Sequence, residues 1–267
     1  MPTPVTPPIS AVMITLNSAR LLAPVLDALR WCDEVVVVDS GSTDRTVEIA
    51  QRRGCRVLHR PFDGFGTQKG FAVAQARNFW VLVVDADEVV TPELQAEIRD
   101  KVARSESGML PYKGYEVPIS LIFLGRLMRY GGEYKMPHLR LFDKRYGNYN
   151  EARVHEDVVL NAPVGRLDNH MLHDSYGSLH EYFEKFNRYT TAGAKDMQSR
   201  GKRPSAAPVI LRLPLTFLKE YILKLNFLNG YPGFVWSLFS AMYPVVKYAK
   251  LREIGKQTAP EAEKQKR

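Results

Sequence analysis

Cysteine is scarce in this 267-residue chain, with Cys32 and Cys55 the whole supply. Two lone thiols build neither a zinc cluster nor a disulfide framework, so a reducing, cytoplasmic setting is expected. The opening Met-Pro-Thr-Pro-Val-Thr-Pro-Pro lacks a basic start and an apolar core, so it is not read as a signal peptide. Glycine is missing where a dinucleotide fold needs it: the turn after the first apolar run is Thr15-Leu16-Asn17-Ser18-Ala19-Arg20. Gly64, Gly66 and Gly70 follow the third run at the wrong spacing, which excludes a Rossmann unit. No nucleic-acid motif is present either. Long apolar runs are also few. Asn226–Val246 has no formal charge and is long enough for a bilayer, but Asn226, Asn229, Gly230, Pro232, Gly233 and Pro244 interrupt it.

What is present is an ordinary globular composition, 45% hydrophobic and 25% charged, in a chain able to hold one large domain and an extension. The net charge of +8 is unevenly spread. Residues 181–267 hold 16 basic and 7 acidic side chains, whereas the first 180 hold 21 and 22. The last third is also rich in Leu, Phe and Tyr. Basic plus apolar points to an anionic membrane surface.

Apolar runs and helical periods alternate along the first half. Residues 9–16 read as a strand, and Ser18 is placed to cap a helix over about 19–31. Glu34–Asp39 is a second buried strand, and Ser40-Gly41-Ser42-Thr43-Asp44 leads into a helix that Gly54 stops. Arg56–His59 is a third strand, followed by a loop over 61–70 and a helix to about Asn78. The order β-α-β-α-β-α-β predicts an α/β fold with a parallel sheet.

The fourth apolar run, Phe79–Glu88, ends in Asp85, Asp87 and Glu88. In an extended backbone Asp85 and Asp87 point the same way, at the sheet edge where open α/β sheets bind ligands. Two such carboxylates suit Mg²⁺ or Mn²⁺ shared with a phosphate. A solvated loop ahead of a helix capped by Thr91 is the plainer alternative. Thr15 and Asn17 end the first strand and Asp39 the second, so all should line one edge. A carboxylate such as Asp39 suits a ribose hydroxyl or a uracil imide N–H.

Three motifs together, Ile14-Thr15-Leu16-Asn17, Val38–Asp44 and Val84-Asp85-Ala86-Asp87-Glu88, resemble the inverting family-2 glycosyltransferases of the GT-A fold. Gln68-Lys69 and Val154-His155-Glu156 make the chain most similar to the lipopolysaccharide inner-core β-glucosyltransferases. The resemblance implies a nucleotide-sugar site of Thr15, Leu16, Asn17, Asp39, Lys69, Asp85 and Ala86. It implies a divalent metal on Asp85 and Asp87, with His173 as a further ligand; a structural hydrogen bond is the alternative role for that histidine. It places the catalytic base at Glu156, with Asp157 in reserve because adjacent acids are not separable by sequence. Arg140, on the strand-like Leu139–Asp143, is assigned to the acceptor side or to a phosphate, against an exposed strand-face arginine. Residues 121–137 are read as an acceptor-side loop.

The activity so implied is transfer of a hexose, as from UDP-glucose, to a hydroxyl of a lipopolysaccharide-core or other lipid-linked glycan. A nucleotidyltransferase and a non-catalytic binding module are the competing readings. The expected domains are a catalytic one over 1–178, a helical membrane-associating extension over 179–256, and a disordered tail over 257–267. Interfacial helices over 226–246 would hold the protein on the inner face of the cell membrane. A packed hairpin or a homodimer contact is the competing use of that segment.

Overall fold

The computed structural model describes residues 7–150, 156–201 and 206–264. The chain divides into two units, Met1–Ser120 with Lys135–His173, and Leu121–Tyr134 with Asp174–Arg267.

The first unit begins with β1 (Ile9–Thr15), α1 (Ala19–Asp27), β2 (Glu34–Asp39), α2 (Thr46–Arg52), β3 (Arg56–His59), α3 (Phe65–Gln75) and β4 (Trp80–Val83). It continues through β5 (Glu88–Val90), α4 (Pro92–Glu106) and β6 (Gly114–Phe123). In chain order, β7 (Arg126–Leu127) belongs to the second unit; β8 (Met136–Asp143), β9 (Gly147–Tyr149), β10 (Val158–Leu160), β11 (Val164–Arg166) and β12 (Met171–His173) return to the first. The main sheet has the order β3-β2-β1-β4-β8-β6-β12-β5, with β11 beside β6. Its first four strands are parallel, as the alternating pattern predicts. β8 then runs antiparallel to both β4 and β6.

Period-two alternation sends neighbouring residues of each strand into different cores. Ala11, Met13, Val37 and Leu82 pack with Leu22, Val25, Leu94 and Ile98 of α1 and α4. Val12, Val36, Val38, Val81 and Val83 pack with Ala72 and Val73 of α3. The valine-rich strands are therefore buried on both faces, each aliphatic side chain contributing about 1.5–3 kcal/mol. β8 differs from the half-exposed strand expected, because Arg140–Asp143 lies between β4 and β6 and is buried throughout.

Capping also differs from expectation. Ser18 makes no side-chain cap; Asp44 Oδ2 accepts from Ala19 N at 3.1 Å, and Asp44 Oδ1 from Thr46 N at 2.9 Å. One carboxylate thus ties together the starts of α1 and α2. Thr91 does cap α4, accepting from Leu94 N at 3.3 Å.

In the second unit, α5 (Leu179–Ser199) is capped by Ser178, whose Oγ accepts from Glu181 N at 3.2 Å, while Glu181 Oε2 reaches back to accept from Gly177 N at 2.9 Å. α6 (Ala206–Leu218) runs on through a π-turn over Lys219–Leu223, and a 3-10 turn over Asn226–Asn229 precedes α7 (Tyr231–Lys264). Val235, Trp236, Phe239 and Tyr243 of α7 pack with Tyr182 and Phe186 of α5 and with Phe123 and Met128. The acceptor-side loop expected over 121–137 thus contributes residues 121–134 to the helical unit. Gly131 (φ +98°) needs a glycine twice over: its backbone is left-handed, and a Cβ there would collide with the Asn226 side chain.

One expectation about the C-terminal third is corrected. Gly233 and Pro244 do not break the helix, since α7 runs through both. Proline removes one helical hydrogen bond, and packing of Trp236, Phe239 and Tyr243 on α5 outweighs that loss. Among the described residues, no helix is long and apolar enough to cross a membrane.

Candidate active site

The parallel register sets the site. Thr15 pairs with Asp39 across β1 and β2, so both strands end at one edge. The Asp39 carboxylate accepts from Thr15 Oγ1 at 2.9 Å, Gly41 N at 2.9 Å, and Ser42 N and Oγ at 2.8 and 2.5 Å. Burial works to raise its pKa, but the bonds from Ser42, Gly41 and Thr15 outweigh that and hold it below the usual carboxylate value. These four donors fill the acceptor positions of the carboxylate. Asp39 therefore shapes its own loop. Asn17 completes the loop in a left-handed conformation (φ +50°), its N donating to Ser42 Oγ at 2.8 Å and its Oδ1 accepting from Thr43 N at 2.9 Å. Leu16 beside it is 55% exposed.

β4 stops at Val83, and Asp85–Glu88 forms a turn in which Glu88 N donates to Asp85 O at 2.9 Å. Asp85 thus opens the turn and Asp87 lies within it, and the extended-strand reason for their pointing together does not hold. Their side chains have different partners. Asp85 is gripped by Lys69 Nζ at 3.1 Å and Arg140 Nη2 at 2.7 Å. Asp87 Oδ2 lies 3.3 Å from His173 Nε2, and Ala86 between them packs against the core. Burial opposes ionisation of Asp85, yet Arg140 and Lys69 keep its carboxyl far below the ordinary range. Burial likewise works against the Lys69 charge, and Asp85 reverses it to a net rise.

Lys69 also reaches the second acidic centre. Its Nζ donates to Glu156 Oε1 at 3.0 Å, so one buried ammonium joins Asp85 to an acid 71 residues further along the chain. Glu156 enters on the return arm of the β9–β10 hairpin, where Asn150 N donates to Asp157 O at 3.0 Å. Asp157 itself is exposed. His155 and Val154, which contributed to the resemblance, lie outside the described residues.

Arg140 is buried, not an exposed strand-face arginine, and its Nε has no hydrogen-bond partner among the described residues. Two members of the cluster received no role from sequence. Glu88, fully buried, accepts from Asp85 N at 2.9 Å and from Arg140 Nη2 at 3.0 Å; burial pushes its carboxyl upward. It braces both Asp85 and Arg140. The Tyr149 ring stands 5.8 Å from Lys69 Nζ, and no sequence signal singled it out. Glu88 was visible as the third acid of its motif, but its inward direction comes only from pairing with His173 across β5 and β12.

Residues 10–147 match the model of Glycosyl transferase family 2. The chain belongs to that family. It is a glycosyltransferase of GT-A-like α/β fold, and the competing nucleotidyltransferase and non-catalytic readings fall away. An uncharacterized glycosyltransferase of Rickettsia bellii (strain RML369-C) is 32% identical over 263 residues, spanning 94% of this chain and 88% of that protein. The lipopolysaccharide core biosynthesis glycosyltransferase LpsC of Rhizobium meliloti (strain 1021) is 30% identical over 251 residues, spanning 91% and 92%. A crystal structure of glucosyl-3-phosphoglycerate synthase from Mycobacterium tuberculosis with Mn²⁺, UDP-glucose and phosphoglyceric acid shares 25% identity over 42% of this chain and 44% of that one. Its TM-score is 0.36, an overlap too partial to bear on this chain's ligands.

Among the described residues, no three His, Cys, Asp or Glu side chains form a ready-made metal cluster. The donor chemistry of Asp87 and His173 nonetheless fits a divalent ion. A carboxylate oxygen and an imidazole nitrogen stand 3.3 Å apart, each side chain partly open to solvent. Mg²⁺ and Mn²⁺ sites at phosphates commonly use one or two protein ligands, with substrate and water completing the shell.

Proposed function

We propose that this glycosyltransferase inverts configuration while moving a hexose, glucose from UDP-glucose in the first instance, to a hydroxyl of a lipopolysaccharide-core or other lipid-linked glycan. The observation that carries the reading is Lys69, whose ammonium spans Asp85 and Glu156 at 3.1 and 3.0 Å. A donor-side acid and a candidate base are thereby held by one ammonium. The lipopolysaccharide assignment follows the similarity to LpsC along nearly the whole chain.

In this reading Thr15, Leu16, Asn17 and the loop organised by Asp39 receive the nucleotide, and Lys69, Asp85 and Ala86 border the sugar diphosphate. Asp87 and His173, with Asp85 beside them, would hold Mg²⁺ or Mn²⁺. When bound, the ion supplies Lewis-acid stabilisation of charge on the departing diphosphate. Glu156 accepts the proton of the acceptor hydroxyl as that oxygen attacks the anomeric carbon opposite the leaving group. Asp157, one residue on, is the reserve. Lys69 holds Glu156 in position from the other side. Arg140 fixes Asp85 and stands on the acceptor side or at a phosphate. An amphiphilic acceptor places the enzyme on the inner face of the cell membrane, over anionic lipid.

The test is a screen of donor hydrolysis across nucleotide sugars, with Mg²⁺, Mn²⁺ and EDTA varied, run beside Asp87→Ala. The expected result is metal-dependent UDP release that Asp87→Ala abolishes without loss of fold. Near-normal turnover by the variant would refute the metal role. Preference for a non-uridine donor would refute the UDP assignment.

A further inference from the structure

α6 packs on α7 through one face only. Phe217 and Tyr221 stack with centroids 5.2 Å apart, and both rings meet Phe234 of α7, at 5.7 and 5.8 Å. The other face has no apolar cover among the described residues. Leu211, Leu215, Leu218 and Ile222 recur every three or four positions and are 61%, 63%, 52% and 47% exposed. Leu223 at 77% and Tyr231 at 72% extend the patch across the irregular turns beyond α6. A contiguous apolar surface of this kind marks a place where something else sits.

Charge says what that is. Lys219 is exposed within the same stretch, while Arg212, also exposed, lies over the Tyr248 ring of α7 at 5.2 Å and donates to its hydroxyl at 3.2 Å. The one acid between residues 211 and 234, Glu220, is only 13% exposed and pairs with Lys224, itself 40% exposed, at 2.9 Å. The outward face is therefore leucine with Lys219, and it carries no exposed acid. A second copy docked on the same face would bring like charges together away from water, which disfavours it. An anionic lipid surface satisfies both components: the leucines enter the acyl boundary, while the lysine stems lie along them and the ammonium groups meet headgroup phosphates. With no described helix able to cross a membrane, the segment lies in the plane.

We infer that residues 211–231 are the membrane-docking element, seated in the headgroup–acyl boundary of anionic lipid. This shifts the contact toward the N-terminal side of the 226–246 segment that the sequence suggested, keeping 226–231 and leaving out α7 beyond it, since Trp236, Phe239 and Tyr243 are spent on the packing of α7 against α5. The inference deepens the proposed membrane placement and rests on it, but not on the identity of the donor.

The experiment is co-flotation of the full chain with vesicles of phosphatidylcholine, with and without phosphatidylglycerol. UDP-sugar hydrolysis is read in vesicle-free buffer for every variant, so failure of docking and failure of the donor chemistry appear separately. The wild type is expected to float with the anionic vesicles. The Leu215→Ser/Leu218→Ser/Ile222→Ser variant should partition at least about tenfold less. Lys219→Glu should lower partition about fivefold on anionic vesicles and little on neutral ones. It also serves as the second variant should the triple substitution unfold the helix. Wild type that stays unbound overturns the inference, as does full binding by both variants. A dimer in light scattering that the triple variant dissociates, with vesicle binding unchanged, overturns it in favour of a second copy.

Discussion

The Arg140 guanidinium reaches Asp85 from the neighbouring antiparallel strand, Nη2 to Oδ2 at 2.7 Å, and the same nitrogen lies 3.0 Å from Glu88 Oε1. Removing the cation would leave the buried Glu88 carboxyl without a cation and Asp85 with Lys69 alone. Loss of one partner of a buried pair costs about 3–5 kcal/mol. Arg140→Met should therefore lower the urea midpoint by a corresponding amount and slow transfer as well. A midpoint within error of wild type would show that the cluster does not contribute to stability.

Asp39 should link stability to pH. Its folded pKa is depressed by the bonds from Ser42, Gly41 and Thr15 against the opposing effect of burial. Such a group stabilises the fold above its unfolded pKa, near 3.8, and the contribution is lost as pH falls through the lower folded value. Asp39→Asn is expected to cost about 2 kcal/mol at pH 7, with the deficit narrowing below about pH 4. Urea titrations from pH 3 to 7 read this directly; a deficit independent of pH would contradict the loop's electrostatic origin.

Glu156 and Asp157 are adjacent in sequence, but only Glu156 is bonded to Lys69. Glu156→Gln should retain UDP-sugar affinity by calorimetry and lose about 10²–10⁴-fold in transfer. Asp157→Asn should stay near wild type. The reverse pattern would move the base by one residue.

Gly131 tests the second unit by itself. Substitution with alanine meets both a left-handed backbone and the Asn226 side chain. A loss of about 1–2 kcal/mol is expected from the backbone alone, and more if Asn226 must move. Thermal unfolding that is unchanged in Gly131→Ala would mean that the turn relaxes freely.

Much of the first unit could be read directly from residue order. Valine runs of four to six residues separated by helical periods dictate strands buried on both faces, and their repetition dictates parallel pairing. The strand-end positions of Thr15, Asp39 and Asp85 followed, because parallel strands all end at one edge. Side-chain direction did not follow. Asp85 and Asp87 were expected to act alike, but the turn starting at Asp85 sends one to Lys69 and Arg140 and the other to His173.

The C-terminal third shows the same limit on a larger scale. Apolar and basic content was plain in the sequence, but which apolar faces turn inward was not. Tyr182 and Phe186 of α5 claim Trp236 and Phe239, and the leucines of α6 are left outside. Local pattern, set by period and propensity between near neighbours, determined which segments became strands and helices. Contacts between distant residues, such as Lys69 with Glu156, depend on where whole elements pack, and the folded chain alone decided those.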